Sequence, residues 1–302
     1  MKSFDCVVVG CGPTGIGCAL YLHSKGIKVA IIEKSTPGGK INIAPRVDNY
    51  PGYKPISGPD LAYAFFERVM NSGVPYIGDE IVNLVKDGDE FLLKGKGDEY
   101  HAKAVYLGVG TTERQIGLPR EEYFFGKGLS YCALCDGHFF KGQDVLVIGG
   151  GNTALKEAIY LAGLAKKLYL IHRRNEFRGS NKLVEELKTI DNVEILTPYI
   201  PVEFLGDDKI TGVKIQNKET GEERVLDVQG VFPLVGQIPN TQFISLDIKN
   251  EYGNIPVDKK MMTSVPGVFA GGDVLPRDIR QIYLAEHDGL VAAKSIEEYL
   301  AK

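Results

Sequence analysis

The sequence predicts an α/β fold with mainly parallel central sheets. The chain twice runs from an apolar strand through a glycine-rich loop into a helix and a second strand. Strands alternate with helices along most of the rest of the chain, which is the usual pattern of this fold class. We also expect a β-rich segment around residues 75–107. The length of 302 residues, with 44% hydrophobic and 25% charged residues, is typical of a globular protein of about two domains.

Composition indicates neither a nucleic-acid partner nor a membrane. The formal net charge is −4, and no broad basic field is present. The longest apolar runs, such as VVVG and VLVIGG, are far shorter than the roughly 20 residues that a membrane-spanning helix needs. A strand begins near residue 4 and leaves no room for a signal peptide, so we expect a cytoplasmic protein.

The first strand–loop–helix–strand unit has the pattern of a dinucleotide site. An apolar strand at Phe4–Val9 precedes a loop with the three glycines of a GxGxxG motif: Gly10, Gly12 and Gly15. These glycines allow a tight turn, close approach of a pyrophosphate and close packing of helix on strand. The N–H groups of the following helix, which runs to about residue 24, favour phosphate. The next strand ends at Glu33, where a carboxylate can accept hydrogen bonds from a ribose.

The second unit repeats this pattern with the opposite charge. Strand Val145–Ile148 leads into the loop GGGNTA, and a helix and the strand Leu168–Ile171 follow. The position equivalent to Glu33 is His172, and arginines lie close behind it: Arg173, Arg174 and Arg178. A cationic cluster suits a ribose 2′-phosphate, so we predict NADPH rather than NADH here. The alternative is a solvated basic face. Two dinucleotide sites in one chain suggest a flavin and a nicotinamide that exchange electrons.

Cys132 and Cys135 form a CxxC pair for which three roles are possible. A structural zinc site needs about four ligands, and the chain has no second CxxC or HxxxH pair. The remaining cysteines belong to the first unit and are interpreted as small apolar side chains: Cys6, Cys11 and Cys18. A structural disulfide across so short a loop would constrain little chain entropy. These arguments favour a redox-active pair.

The C-terminal segment carries a weaker signal of cofactor binding. A short strand, Val268–Ala270, ends in Gly271, Gly272 and Asp273, and a helix begins near Arg280. The glycines permit close backbone approach, and the aspartate can hydrogen-bond cofactor hydroxyls.

Motifs along nearly the whole chain carry a family resemblance. They are GCGPTG, PGGKI, VDNYPG, GLPREEYFFGKGLSYCALCDG, GGGNTA, HRRNEFR, GQIPN and GVFAGGDV followed by RQ. In this order and spacing the chain resembles the low-molecular-weight thioredoxin reductases, which are class-II pyridine nucleotide-disulfide oxidoreductases. The resemblance implies two Rossmann-like domains, the second inserted into the first. It places an FAD-binding domain at residues 1–116 and 244–302, and an NADPH-binding domain with the CxxC pair at residues 117–243.

The resemblance also implies cofactor contacts. Those to FAD would come from Gly10, Gly12, Pro13, Thr14, Gly15, Glu33, Gly39, Lys40, Asn49, Asp273, Arg280, Gln281 and Ile282. Those to NADPH would come from Gly151, Asn152, Thr153, His172, Arg173, Arg174 and Arg178. The family is homodimeric and has thioredoxin as its protein substrate, so we expect both properties here.

The reaction that the resemblance implies runs from NADPH through FAD to the Cys132–Cys135 disulfide and then to oxidised thioredoxin. Cys135 would be the thiol next to the flavin, Cys132 the thiol that attacks thioredoxin, and Asp136 the acid–base residue. Asp136 followed by glycine is also a common turn pair. In this family the inserted domain rotates between two arrangements about the chain crossings. The alternative function is a related flavoprotein disulfide reductase with a different electron donor or protein partner.

The sequence departs from the family pattern at a few positions. Lys40 stands where glutamine is common, and Leu284, Glu286 and His287 stand where small residues and a threonine are usual. We expect these differences to affect the flavin potential or the choice of partner rather than the reaction itself.

Overall fold

The chain folds into two units, each built on a central sheet of mainly parallel strands. Unit 1 comprises Met1–Thr112 and Ile238–Lys302, and unit 2 comprises Glu113–Gln237. The computed structural model describes residues 2–44 and 46–302. The predicted α/β class is confirmed. The bounds predicted for the two cofactor-binding domains lie a few residues later in the chain, and their assignment to FAD and NADPH stays a prediction.

Unit 1 begins with the predicted strand–loop–helix–strand motif. In chain order its first stretch contains β1 (Lys2–Val9), α1 (Pro13–Ser24), β2 (Val29–Glu33), α2 (Gly58–Ser72), β3 (Tyr76–Gly78), β4 (Ile81–Asp87), β5 (Glu90–Gly95), β6 (Glu99–Leu107) and β7 (Thr111–Glu113), whose last residue lies in unit 2. The expected β-rich segment around residues 75–107 therefore consists of four strands, β3 to β6.

Unit 2 holds the second such motif and a smaller sheet. Its elements are α3 (Glu121–Phe124), α4 (Ala133–Asp136), β8 (Asp144–Ile148), α5 (Asn152–Ala162), β9 (Lys167–Ile171), α6 (Asn181–Lys188), β10 (Val193–Leu196), β11 (Tyr199–Leu205), β12 (Gly212–Asn217), β13 (Glu223–Leu226), β14 (Gly230–Pro233) and β15 (Gln237–Pro239), whose last two residues lie in unit 1. Unit 1 then closes with β16 (Val268–Ala270) and α7 (Ile282–Leu300), which begins two residues after the predicted start.

The seven-stranded sheet of unit 1 has strand order β3-β2-β1-β6-β5-β4, and β16 also pairs with β6. Strands β3, β2, β1, β6 and β16 pair in parallel, whereas β6, β5 and β4 pair antiparallel. The side chains of β1 are buried on both faces of the sheet, since Val7 and Val8 belong to different core clusters. Cys6 and Cys18 are buried thiols in this core, as interpreted from the sequence.

Unit 2 combines a parallel sheet with an antiparallel one. Its parallel sheet has the order β10-β9-β8-β14, and β11, β12 and β13 form a separate antiparallel sheet. This antiparallel sheet was not predicted from the sequence. No helix in the described part of the chain is long and apolar enough to cross a membrane.

The two chain connections between the units pair with each other as strands β7 and β15. The Arg114 N–H donates to the Gly236 carbonyl at 3.0 Å, and the Asn240 N–H donates to the Gly110 carbonyl at 3.1 Å. The Gln237 side chain donates to Glu113 Oε1 at 2.8 Å. These hydrogen bonds join the backbone and side chains of the two connections locally.

Close packing of α7 on α1 generates a stability prediction. A Cβ added at Gly289 in α7 would lie 2.2 Å from the Thr14 carbonyl oxygen of α1. Because the clash is with backbone, we expect Gly289→Ala to lower the free energy of unfolding by about 1–3 kcal/mol. The midpoint of thermal unfolding, followed by circular dichroism, should fall by roughly 3–10 °C.

Gly78→Ala is the matched control, because a Cβ added there meets no heavy atom within 4 Å. An equal loss of stability in both variants would contradict the packing argument.

Candidate active site

The first glycine loop has the geometry of a phosphate cradle. Gly10 has φ of +103°, and a Cβ added there would lie 2.4 Å from the Gly108 carbonyl oxygen. A Cβ added at Gly15 would lie 2.0 Å from the Gly10 carbonyl oxygen. Gly12 is the N-cap residue of α1, and no side chain caps the first amides of this helix. A Cβ added at Gly12 would meet no heavy atom within 4 Å. The N-terminal amides of α1 therefore face open space, as a pyrophosphate site requires.

The residues after Gly12 have different roles in α1. Pro13 is the first helical residue, a position that needs no N–H donor. The side chain of Thr14 is buried and shares a hydrogen bond with the Tyr106 hydroxyl. The backbone of Thr14, and not its side chain, therefore lies at the glycine loop.

Glu33 lies beside this loop, as its spacing predicted. Its Oε2 accepts the Cys11 N–H at 2.8 Å, and its Oε1 accepts the Ser35 N–H at 2.9 Å. These bonds fix the carboxylate at the end of β2. Each carboxylate oxygen has about two acceptor sites, so further hydrogen bonds to ribose hydroxyls are feasible.

Lys40 and Asp273 come together from distant parts of the chain. The Lys40 ammonium donates to Thr111 Oγ1 at 2.7 Å and lies 3.5 Å from Asp273 Oδ2. A Cβ added at Gly39, the residue before Lys40, would lie 3.5 Å from Gly12 Cα. This side of unit 1 therefore adjoins the glycine loop, and the lysine charge has a carboxylate partner.

The segment before α7 meets the chain near residue 49. The Asn49 amide donates to Gln281 Oε1 at 3.0 Å, and Arg280 Nε donates to the Asp273 carbonyl at 3.4 Å. Ile282 is the first residue of α7. The structure thus gathers the predicted FAD contacts from the glycine loop, the segment 39–49 and the C-terminal segment within one unit.

Asp288 orders the turn at Gly271, Gly272 and Asp273, and sequence reasoning missed it. Only 2% of Asp288 is exposed. Its Oδ2 accepts the Gly272 N–H at 2.8 Å and pairs with the Arg277 guanidinium. The available signal was an acidic residue among the apolar positions of the last helix. A carboxylate buried there needs a partner, because buried carboxylates are normally paired.

Glu286, one of the departures from the family pattern, is half-buried in unit 1. Its Oε2 accepts a hydrogen bond from the Tyr50 hydroxyl at 2.9 Å. Burial raises the pKa of Glu286 above its ordinary value, and the Tyr50 hydrogen bond opposes this shift. The ionised form of Glu286 therefore lowers the stability of the folded state at neutral pH.

The second glycine loop is held by the segment that follows β9. The Gly150 carbonyl accepts the N–H groups of Arg178 and Gly179 at 2.9 and 3.0 Å. Gly151 caps α5 without a side-chain hydrogen bond, and a Cβ added there would lie 3.4 Å from Arg178 Nη2. The guanidinium of Arg178 is therefore next to the open N-terminus of α5.

The first residues of α5 lie at this loop. The Asn152 amide oxygen accepts the Ser180 N–H at 2.8 Å, which ties α5 to the start of α6. Thr153 is exposed at the second position of the helix. Arg173 and Arg174 are exposed as well.

His172 packs under the loop. Its ring stacks on Phe177 with centroids 5.2 Å apart, and a Cβ added at Gly150 would lie 2.3 Å from the ring. Its Nε2 is buried, with no hydrogen-bond partner in the part of the chain that the structure describes. Burial and the nearby arginines lower the pKa of His172, which favours the neutral ring at neutral pH.

Cys132 and Cys135 form a disulfide with Cα atoms 5.3 Å apart. Cys132 caps the short helix α4, and its Sγ accepts the Cys135 N–H at 3.2 Å. Cys132 is half-buried and Cys135 is exposed. Among described residues no group of three or more His, Cys, Asp or Glu side chains could hold a metal ion. The two sulfurs are therefore bonded to each other across the first turn of α4.

Ser130 links Asp136 to this pair. Its hydroxyl donates to Asp136 Oδ2 at 2.6 Å and accepts the Cys132 N–H at 3.1 Å. The carboxylate of the predicted acid–base residue is therefore linked through Ser130 to the Cys132 backbone. Sequence reasoning did not identify Ser130, because a serine near a CxxC pair is no signal by itself.

The shifted pKa of Glu286 generates a pH prediction. The folded state binds this proton more tightly than the unfolded chain, so the ionised carboxylate costs stability once the pH exceeds its ordinary pKa of about 4.3. Glu286→Gln keeps an acceptor for Tyr50 and removes the charge. We expect the variant to unfold at a higher temperature than the native protein at pH 7, and the difference to vanish near pH 4.

The matched control is Glu298→Gln on the same helix, where the exposed carboxylate pairs with Lys260. Its unfolding temperature should change little at either pH. A difference for Glu286→Gln that grows towards acid pH would refute the assignment.

Comparison with known proteins agrees with this geometry. The family model for pyridine nucleotide-disulphide oxidoreductases matches residues 4–289. The chain is 38% identical over 300 residues to a thioredoxin reductase of Mycoplasma pneumoniae, which covers 98% of this chain and 95% of the relative. It is 36% identical over 302 residues to a thioredoxin reductase of Bacillus subtilis, covering 99% and 95% of the two chains. The crystal structure of thioredoxin reductase from Streptococcus pyogenes matches with a TM-score of 0.94 and 39% identity over 99% of both chains. The chain therefore belongs to the pyridine nucleotide-disulphide oxidoreductase family and, within it, to the thioredoxin reductases.

Proposed function

We propose that this protein reduces the disulfide of oxidised thioredoxin with electrons from NADPH. The observation that carries the proposal is the Cys132–Cys135 disulfide with Asp136 beside it, in the same unit as the second glycine loop. When bound, FAD supplies a two-electron carrier that can take a hydride from a nicotinamide and pass its electrons to a disulfide.

The FAD site is proposed in unit 1. The open N-terminus of α1 at Gly12 would receive the pyrophosphate, and Glu33 would accept hydrogen bonds from the ribose. Asp273 and Lys40 would contribute polar contacts from the opposite ends of the sequence. What supports this assignment is the convergence of these side chains with Asn49 and Gln281 around one glycine loop.

The NADPH site is proposed at the second glycine loop. The amides at the start of α5 would bind the pyrophosphate, and the guanidinium of Arg178 would neutralise charge beside Gly151. The exposed Arg173 and Arg174 would bind the 2′-phosphate. His172, packed between Gly150 and Phe177, would hold the backbone from which these arginines project.

The cysteines would perform dithiol–disulfide exchange. The Cys132 thiolate attacks one sulfur of the thioredoxin disulfide, which forms a mixed disulfide and releases one thioredoxin thiolate. The Cys135 thiolate then attacks Cys132 Sγ, which releases the second thioredoxin thiolate and restores the Cys132–Cys135 disulfide. Two electrons pass to thioredoxin, and the two released thiolates take up protons. Asp136, whose Oδ2 accepts the Ser130 hydroxyl, would take up one of these protons near the pair.

Assembly and location are further parts of the proposal. We infer a homodimer from the family, and exposed apolar side chains on α7, at Tyr283 and Leu290, are compatible with a covered face. We infer a cytoplasmic protein because three cysteines are free thiols and the remaining two form the redox pair.

Removal of either redox cysteine tests the exchange step. Cys132→Ser and Cys135→Ser should each lower thioredoxin reduction by about a hundredfold or more, since exchange requires both sulfurs. The assay follows NADPH oxidation in the presence of oxidised thioredoxin. Turnover of ferricyanide, which accepts single electrons and needs no disulfide, should stay within about twofold in both variants. Unimpaired thioredoxin reduction in either variant would contradict the mechanism.

Removal of the basic cluster tests the electron donor. Arg173→Gln combined with Arg174→Gln should raise KM for NADPH by roughly 10- to 100-fold, because charge-assisted hydrogen bonds to the phosphate are lost. KM for NADH should change by less than about threefold.

The control for the cluster is Lys182→Gln, which removes an exposed charge on α6. An equal rise in KM for NADPH and for NADH would show that the arginines do not bind the 2′-phosphate. Native activity that is equal with the two nucleotides would contradict the predicted preference for NADPH.

A further inference from the structure

Two carboxylates that the mechanism does not use hold the residues on either side of Cys132. The Tyr131 hydroxyl donates to Glu121 Oε1 at 2.9 Å, and the Ala133 N–H donates to Glu157 Oε2 at 2.7 Å. Glu157 lies on α5, the helix that begins at the second glycine loop. Both bonds lie within unit 2, so the position of the Cys132 backbone is determined by that unit.

The two carboxylates differ in how closely they approach Cys132. Glu121 is reached only through the full length of the Tyr131 side chain. Glu157 instead binds the amide of the peptide unit that joins Cys132 to Ala133. Ala133 is fully buried, so little water competes for its amide. Of the two, Glu157 therefore has the more direct link to the Cys132 backbone.

We propose that Glu157 is a positioning residue of the redox pair, which anchors Cys132 through the Ala133 amide and restrains ionisation of the Cys132 thiol in the reduced enzyme. A nearby negative charge disfavours a thiolate. A thiol that ionises less readily reacts more slowly with small electrophiles, whereas its thiolate, once formed, is intrinsically more nucleophilic. The inference rests on the proposed function for its role in catalysis, but not for the anchoring itself.

Besides Glu121 of α3 and Tyr131, two elements that meet at this turn carry ionisable groups. The segment that contains α4 contributes Asp136 and His138, and α5 contributes Lys156, Glu157 and Tyr160. Asp136 is also acidic, so a test must change Glu157 alone and leave the Ser130–Asp136 hydrogen bond in place.

The test measures the reactivity of Cys132 in the full chain with bound FAD. In a Cys135→Ser background, Cys132 stays a thiol after treatment with dithiothreitol. The rate of its alkylation by iodoacetamide is followed against pH by mass spectrometry of the Cys132 peptide. Glu157→Gln keeps a carbonyl oxygen for the Ala133 amide but removes the charge. We expect alkylation about three- to tenfold faster at pH 7, with the midpoint of the pH profile moved to lower pH.

Two matched variants separate charge from loosening of the turn. Tyr131→Phe keeps the stacking on Phe125, whose ring centroid lies 5.6 Å away, but loses the bond to Glu121. It should leave the midpoint unchanged. Glu185→Gln removes an exposed charge on α6 and should also have no effect.

An unchanged midpoint in Glu157→Gln would overturn the proposal, and so would an equal shift in Tyr131→Phe. The readout involves neither thioredoxin nor NADPH. A failure of the proposed function in the turnover assays would therefore be distinguishable from a failure of this inference.

Discussion

Close backbone approach around the first glycine loop is the constraint on which unit 1 depends. The loop packs against Gly108 after β6, α1 packs on the loop, and α7 packs on α1. At each contact a Cβ would come within 2.4 Å of a backbone oxygen: at Gly10, Gly15 and Gly289. Glycine at these positions lets the start of α1 lie open at the end of the sheet. The candidate FAD site follows from that opening, since unsatisfied amides are what a pyrophosphate binds.

Unit 2 meets the same constraint with a different charge. A Cβ added at Gly149 would lie 2.5 Å from the Leu234 carbonyl oxygen, so the second loop is packed as tightly as the first. At the end of the second strand, however, the carboxylate of Glu33 is replaced by the neutral ring of His172 and the arginines that follow it. Both loops are closely packed, so the charge at this one position is what distinguishes the nucleotide preference of the two proposed sites.

Several side chains in the candidate site act by orienting other groups. Asp288 holds the amide of Gly272, Ser130 holds Asp136, and Glu157 holds the amide of Ala133. Each supplies a hydrogen bond that the backbone or a reactive group would otherwise lack. Such residues maintain the geometry in which a cofactor or a thiol reacts. Their loss therefore changes binding or reactivity by changing that geometry.

The sequence by itself determined the two glycine loops, Glu33, the basic cluster after His172 and the CxxC pair. These features depend on local spacing, and local spacing decides which side chains follow a strand or open a helix. The β-rich segment and the start of the last helix were predicted for the same reason. The antiparallel sheet of β11 to β13 was missed, because short strands joined by turns give a weak periodic signal.

Only the tertiary structure decided which distant residues meet. Lys40 with Asp273, Asn49 with Gln281, and Ala133 with Glu157 are separated along the chain by segments whose folding brings them together. The burial of Asp288 and the stacking of the His172 ring on Phe177 likewise depend on tertiary packing. No spacing in the sequence encodes these contacts, because they depend on how helices and sheets pack and not on the period of any single element.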